Sequence, residues 1–147
     1  MHISIFDLFK IGIGPSSSHT VGPMRAAKKF LELAVEKNLL EEITKIKINL
    51  HGSLASTCIG HGTDKAIIMG LFGFEPEYIN IIEADKIFNE VKAKNVILLL
   101  NKKKIDFDYH RDLDLDFKNL PQHPNGMEFV LLNNQDIVLY QKKFFSV

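Results

Sequence analysis

The hydrophobic period of this chain changes along its length, and that change limits the folds open to it. From Val21 onward apolar residues recur at helical spacing. Val21, Met24, Ala27, Leu31, Ala34 and Val35 fall on one face, and Arg25, Lys28, Lys29, Glu32 and Glu36 lie largely off it. Pro23 suits the first turn of such a helix, where a backbone N–H has no partner to lose. From Lys45 to His51 the period drops to two. Ile46, Ile48 and Leu50 point one way and Lys45, Lys47, Asn49 and His51 the other, which predicts a half-buried strand.

The same reading extends along the rest of the chain. Ile3 to Phe9 reads as one or two helical turns ended by Gly12 and Gly14. Lys65 to Leu71 reads as a short helix capped by Thr63 or Asp64 and stopped by Gly73. Glu83 to Lys94 predicts a second amphipathic helix, with Ile87, Phe88 and Val91 buried. Val96 to Leu100 is a short apolar run. Ile105, Phe107 and Tyr109, then Leu113, Leu115 and Phe117, alternate with polar residues and read as strands, which places His51 and His110 on strand surfaces. Asn133-Asn134-Gln135-Asp136 has the chemistry of a hairpin turn between Met127–Leu132 and Ile137–Phe144. With helices early and hairpin-like strands late, the expected class is α+β in a single domain, not a repeating βαβ sheet.

Composition narrows the partners. The chain has 147 residues, with 18 Lys plus Arg against 18 Asp plus Glu, so no charge excess draws it to nucleic acid or an anionic membrane. No apolar window is long enough to cross a bilayer. The start, Met1-His2-Ile3 with Asp7 close behind, lacks the parts of a signal peptide, so a cytoplasmic protein is expected. One cysteine, Cys58, can neither form an internal disulfide nor hold a metal cluster alone.

Three loops could carry chemistry. Ser16, Ser17, Ser18, His19 and Thr20 precede the long helix. Free N–H groups at a helix start, with hydroxyls beside them, can receive a carboxylate. Helix capping is the plainer reading, but one residue suffices for a cap. Gly12-Ile13-Gly14 is neither a dinucleotide loop nor a P-loop, because the third glycine and the Gly-Lys-Ser/Thr are both missing. Gly60-His61-Gly62-Thr63-Asp64-Lys65 places a histidine between glycines, where a ligand can approach closely and a proton can move near neutrality. A glycine-rich turn capped by Asp64 is the plainer alternative. His123-Pro124-Asn125-Gly126 has ordinary turn chemistry as well. The three histidines have no metal-ligand spacing, so no metal site is expected, and no lysine sits in a recognisable pyridoxal-phosphate setting.

These loops resemble one family in the same order. Phe6 to Met24, with Gly14-Pro15-Ser16-Ser17-Ser18-His19-Thr20 at its centre, is similar to the N-terminal signature of the iron–sulfur L-serine dehydratases (L-serine ammonia-lyases). Gly52-Ser53-Leu54-Ala55 with Gly60 to Ala66 resembles the second motif, and His123 to Met127 the third. Cys58-Ile59 departs from the Gly-Lys many relatives carry there, which bears only on a contact just before His61. Phe144-Phe145-Ser146-Val147 resembles the start of a family motif that continues into glycines, so the chain reads as an N-terminal region lacking the cluster-binding catalytic region.

The resemblance implies conversion of L-serine to pyruvate and ammonia. It implies a 4Fe-4S cluster ligated outside this chain, with one iron free to act as Lewis acid on the substrate hydroxyl. It also implies a domain over residues 1–147 like the allosteric substrate-binding domain of some phosphoglycerate dehydrogenases. That domain would pack on the iron–sulfur domain or subunit within a homodimer, and the fragment alone is expected to be inactive. Of the pocket residues, His19 and His61 would serve proton transfer or orientation, and Ser16, Ser17, Ser18, Thr20, Thr63, Asp64, Lys65, His123 and Asn125 would bind substrate. The alternatives are a regulatory domain that binds L-serine or a small anion without catalysing, and a pure interaction module presenting Phe144 and Phe145.

Overall fold

The computed structural model describes residues 21–55, 58, 62–116 and 126–145. The expectations for Ile3–Phe9, for the loop ending at Thr20, and for Phe117, His123 and Asn125 lie outside them. In chain order the elements are α1 (Val21–Glu36), β1 (Lys45–His51), α2 (Thr63–Phe72), α3 (Ile81–Lys94), β2 (Val96–Leu99), β3 (Lys103–Asp106), the single helical turn α4 (Tyr109–Asp112), β4 (Leu113–Asp116), β5 (Gly126–Leu132) and β6 (Val138–Phe145). The class is α+β, as expected.

A four-stranded sheet runs in the order β4-β1-β5-β6, and β2 and β3 form a separate hairpin. β1 meets β5, and β5 meets β6, antiparallel. β1 and β4 are parallel, a pairing the sequence pattern did not anticipate. Parallel neighbours need a long crossover, and α2, α3 and the β2–β3 hairpin all lie within it.

Strand β1 is buried as its alternation predicts, with Ile46, Ile48 and Leu50 fully covered. Helix α1 buries a wider face than the predicted stripe. Val35 is only half-buried, while Ala26 and Phe30 are buried. The reason is that α1 packs on two neighbours. Phe30 stacks between Phe129 of β5 and Tyr140 of β6, at 5.2 Å to each ring. On its other side α1 packs against α2 so closely that a Cβ at Gly70 would lie 2.2 Å from the Met24 carbonyl oxygen. Arg25–Glu77 at 2.6 Å and Lys28–Glu75 at 3.4 Å tie α1 to the segment before α3.

Several boundaries differ from expectation. The α2 N-cap is Gly62 in the left-handed region (φ 74°), and Thr63 and Asp64 stand inside the first turn instead of at the cap. Gly73 does end the helix, at φ 99°. Helix α3 starts at Ile81, because the Asn80 side chain accepts the Glu83 N–H at 2.7 Å. The alternation from Ile105 to Tyr109 does not continue as strand, so His110 sits on a helical turn and is exposed. The Asp108 carboxylate diverts the chain by accepting the N–H groups of His110 (3.0 Å) and Arg111 (3.1 Å). The β5–β6 hairpin forms as predicted, with Asn133 Oδ1 accepting from Gln135 and Ile137.

The turn at α4 is locked to the sheet by a buried carboxylate. Asp112 is 1% exposed. It pairs with Lys47 of β1 at 3.2 Å and with Arg111 at 2.9 Å, and it accepts the Asp108 N–H at 2.9 Å. Burial pushes its pKa up, but Arg111, the Asp108 N–H and Lys47 outweigh burial and hold it below the usual carboxylate range. A carboxylate depressed in the folded state stabilises the fold above its unfolded pKa. That contribution is lost as pH falls through the folded value. Stability of the full-length protein should therefore drop on acidification from about pH 5 downward. Asp112→Asn should flatten that acid limb in urea unfolding measured at several pH values. An unchanged acid limb would show that Asp112 does not carry it.

Candidate functional site

The second sequence motif begins at one end of the sheet. Leu50 of β1 pairs with Met127 of β5. These strands are antiparallel, so the chain leaves β1 into Gly52-Ser53-Leu54-Ala55 beside the point where β5 begins at Gly126. The parallel strand β4 ends at the same place, with His51 beside Asp116 and their side chains 3.3 Å apart. The first motif leads directly into α1, whose opening residues Val21, Gly22 and Pro23 are buried. Helices α1 and α2, each preceded by a motif loop, are in close contact at Gly70.

Of the residues expected to form the pocket, Ser16, Ser17, Ser18, His19, Thr20, His61, His123 and Asn125 lie outside the described residues. Thr63, Asp64 and Lys65 lie within them and form the first turn of α2. Each is held differently. Asp64, 7% exposed, has both carboxylate oxygens engaged. Oδ1 accepts the Lys65 N–H at 2.8 Å, and Oδ2 accepts the Tyr109 hydroxyl. The Lys65 ammonium pairs with Asp85 of α3. Thr63 is fully buried, yet its hydroxyl has no partner among the described residues. Among the described residues one other buried side-chain atom is unpartnered, Arg25 Nε, but that guanidinium is already engaged through Nη2 with Glu77.

Two titratable groups adjoin Asp64. Burial pushes the Tyr109 phenol far above its usual range, and the hydrogen bond to Asp64 and the charge of Asp64 add to the shift. Burial, then the Asp64 charge, push the Cys58 thiol up to about 12, against a smaller opposite pull from the Asp64 backbone. Both groups stay protonated near neutrality. Cys58 is therefore an inert core thiol.

Sequence reasoning missed Tyr109 and Asp85 as partners of this turn. The signal for Tyr109 was present in Asp108 and Asp112, which bracket it at the spacing of a capped helical turn. Nothing local marked Asp85, because its contact with Lys65 depends on how α3 packs.

The model of one family, described as the serine dehydratase beta chain, matches residues 4–147. L-serine dehydratase 1 of Escherichia coli (strain K12) is 44% identical over 147 residues, covering 99% of this chain and 32% of that protein. The L-serine dehydratase of Streptomyces coelicolor is 43% identical, covering 100% of this chain and 32% of its own length. One from Helicobacter pylori is 40% identical, with 98% and 31% covered. The chain thus spans about a third of the length of the curated relatives it matches. Matched along nearly all of its sequence, the chain belongs to the serine dehydratase beta chain family.

Proposed function

We propose that this chain is the non-cluster region of an L-serine ammonia-lyase, forming one wall of a substrate pocket that the catalytic region completes. The observation that carries the reading is Thr63. A fully buried hydroxyl with no partner among the described residues is costly. This one lies two residues after His61, where a polar substrate atom would satisfy it. Ser16, Ser17, Ser18 and Thr20, which precede α1 in the sequence, would supply hydroxyls for the substrate carboxylate beside the free N–H groups of that helix's first turn. Asp64 and Lys65 stand in the wall with their charged ends held by Tyr109 and Asp85, and His123 and Asn125 close the pocket.

The chemistry requires breaking the Cα–H bond of an amino acid whose carboxylate is already negative. Its electron pair expels the β-hydroxyl, which leaves as water after taking a proton. The resulting enamine is then hydrolysed to pyruvate and ammonia. Neutralising the carboxylate lowers the first barrier. His19 and His61 would orient the substrate or move its protons.

The motif resemblance implies a 4Fe-4S cluster, and the described residues do not fit one. They contain no group of three metal-ligating side chains, and Cys58 is a buried thiol raised to about 12, whereas cluster ligands are thiolates. Cluster ligation is therefore assigned to the catalytic region, in the same chain or a separate subunit. The homodimer, the likeness to an allosteric substrate-binding domain and a cytoplasmic location belong to the same proposal. Among the described residues no helix is long and apolar enough to cross a membrane.

The test is pyruvate formation from L-serine by the full-length protein prepared without oxygen. Activity that is lost in air and survives a carbonyl-trapping reagent is the expected result. A folded, iron-loaded protein that makes no pyruvate would overturn it. Saturable L-serine binding by such a protein would then identify a regulatory domain.

A further inference from the structure

Among the described residues five large apolar side chains are exposed, and they fall in two places. Ile137 and Val138 lead from the Asn133 turn into β6. Tyr78 (78% exposed), Ile81 (52%) and Ile82 (83%) lie within five positions of one another, just before and within the first turn of α3. Single exposed apolar residues are ordinary, whereas a cluster of them marks a surface that something covers. Local folding does not call for these three. Ile79 alone of the run turns into the core. The first turn of a helix favours acidic side chains, and isoleucine is a weaker helix former than alanine or glutamate. Ile81 and Ile82 line one shallow depression with Glu83 and Lys86. Neither of those charges has an ion-pair partner among the described residues, whereas nearby Glu75, Glu77 and Asp85 are all paired.

The patch stands at a defined end of the domain. Lys37, just past the end of α1, lies over the Tyr140 ring at 5.5 Å. Tyr140 is level with Leu131, and Leu131 with Ile46 near the start of β1. Helix α1 therefore begins at the opposite end, where β1 and β6 finish and β5 starts. The segment leading to α3 runs back toward that end. Glu75 pairs with Lys28 at 3.4 Å, and Glu77 with Arg25, three residues nearer the start of α1, at 2.6 Å. Asp85 of α3 then pairs with Lys65 in the first turn of α2. The patch thus shares its end of the domain with the first turns of α1 and α2, the buried Thr63 among them.

We propose that Tyr78, Ile81 and Ile82 form the docking surface for the catalytic region, which seats an apolar patch on them and sets opposite charges against Glu83 and Lys86. This rests on the pocket reading above and names where the two regions meet. The pocket reading brings the catalytic region to the end where α1 and α2 begin, and the patch faces outward there. The chain spans about a third of the length of its matched relatives, so the larger part of such a protein is available to cover it. An apolar centre with a polar rim is the usual make-up of a protein interface. A second copy of this domain is the competing occupant.

Photo-cross-linking in the full-length protein tests this, with the catalytic subunit present if it is a separate chain. p-Benzoylphenylalanine in place of Tyr78 keeps an aromatic ring and labels what lies against it. Peptide mass should locate the cross-link in the catalytic region. Ile82→Asp should lower its yield at least about fivefold, because a carboxylate at the centre of the interface loses its water. Ile82 is the second residue of α3, where an acidic side chain suits the helix, so a lower yield would not reflect failure of α3 to form. A cross-link confined to residues 1–147, in the same chain or in a second copy, overturns the proposal. So does a label that reacts with no protein segment, or a yield that Ile82→Asp leaves unchanged. A protein that makes no pyruvate overturns the pocket reading, while the position of the cross-link still decides the docking surface.

Discussion

Alanine at Gly70 is expected to lower the stability of the full-length protein by about 2 kcal/mol, the balance of about 3 for overpacking and about 1 regained in helix propensity. The sign is what makes the test informative. Gly70 lies inside α2, and at an exposed helical site alanine would stabilise. Here a Cβ would meet the Met24 carbonyl oxygen at 2.2 Å, the Ala27 Cβ at 2.9 Å and the Met24 carbonyl carbon at 3.0 Å. Two of these three atoms are backbone and cannot rotate away. The strain is relieved only by separating α1 from α2, which opens the packing around Met24, Ala27 and Leu31, all fully buried. Urea unfolding should show a lower midpoint with an unchanged slope. A raised midpoint would mean the two helices stand further apart than described. Since a motif loop precedes each helix, the substitution should also disturb their relative placement.

How much of this was legible in the sequence depended on how local each cause is. The strand Lys45–His51 was readable because its burial pattern follows its own alternation. The Asn133 turn was readable because one side chain writes the turn. Tyr109 was misread as strand because the alternation of Ile105 and Phe107 pointed onward, whereas the Asp108 carboxylate captured the next two N–H groups. Phe30 was missed because a single helical stripe cannot reveal a helix packed on two sides. The parallel β1–β4 pairing has no local signature, since both strands carry the same alternation they would have in an antiparallel pair. In the candidate site, the motif loops identified Thr63, Asp64 and Lys65. That the Asp64 and Lys65 side chains are already partnered by residues 20 or more positions away, while Thr63 has no partner among the described residues, could come only from the fold.

His61→Ala in the full-length protein is the other large expected effect, a loss of about a hundredfold to ten-thousandfold in kcat for L-serine turnover. A factor of ten in rate corresponds to about 1.4 kcal/mol of barrier, so this asks about 3 to 5 kcal/mol of one imidazole. That is within reach of a group moving the proton in the rate-limiting step, and beyond what a solvated turn residue could supply. The alternatives separate by the parameter that moves. If His61 only orients the carboxylate in ground and transition state alike, KM should rise with little change in kcat. If it transfers a proton, kcat and kcat/KM should fall together. The same measurement on His19→Ala divides the two roles between the loops, since both histidines cannot hold the same proton. Near-normal turnover in His61→Ala would remove His61 from the pocket. Thr63, whose buried hydroxyl lacks a partner among the described residues, would then remain as the described residue most in need of a ligand.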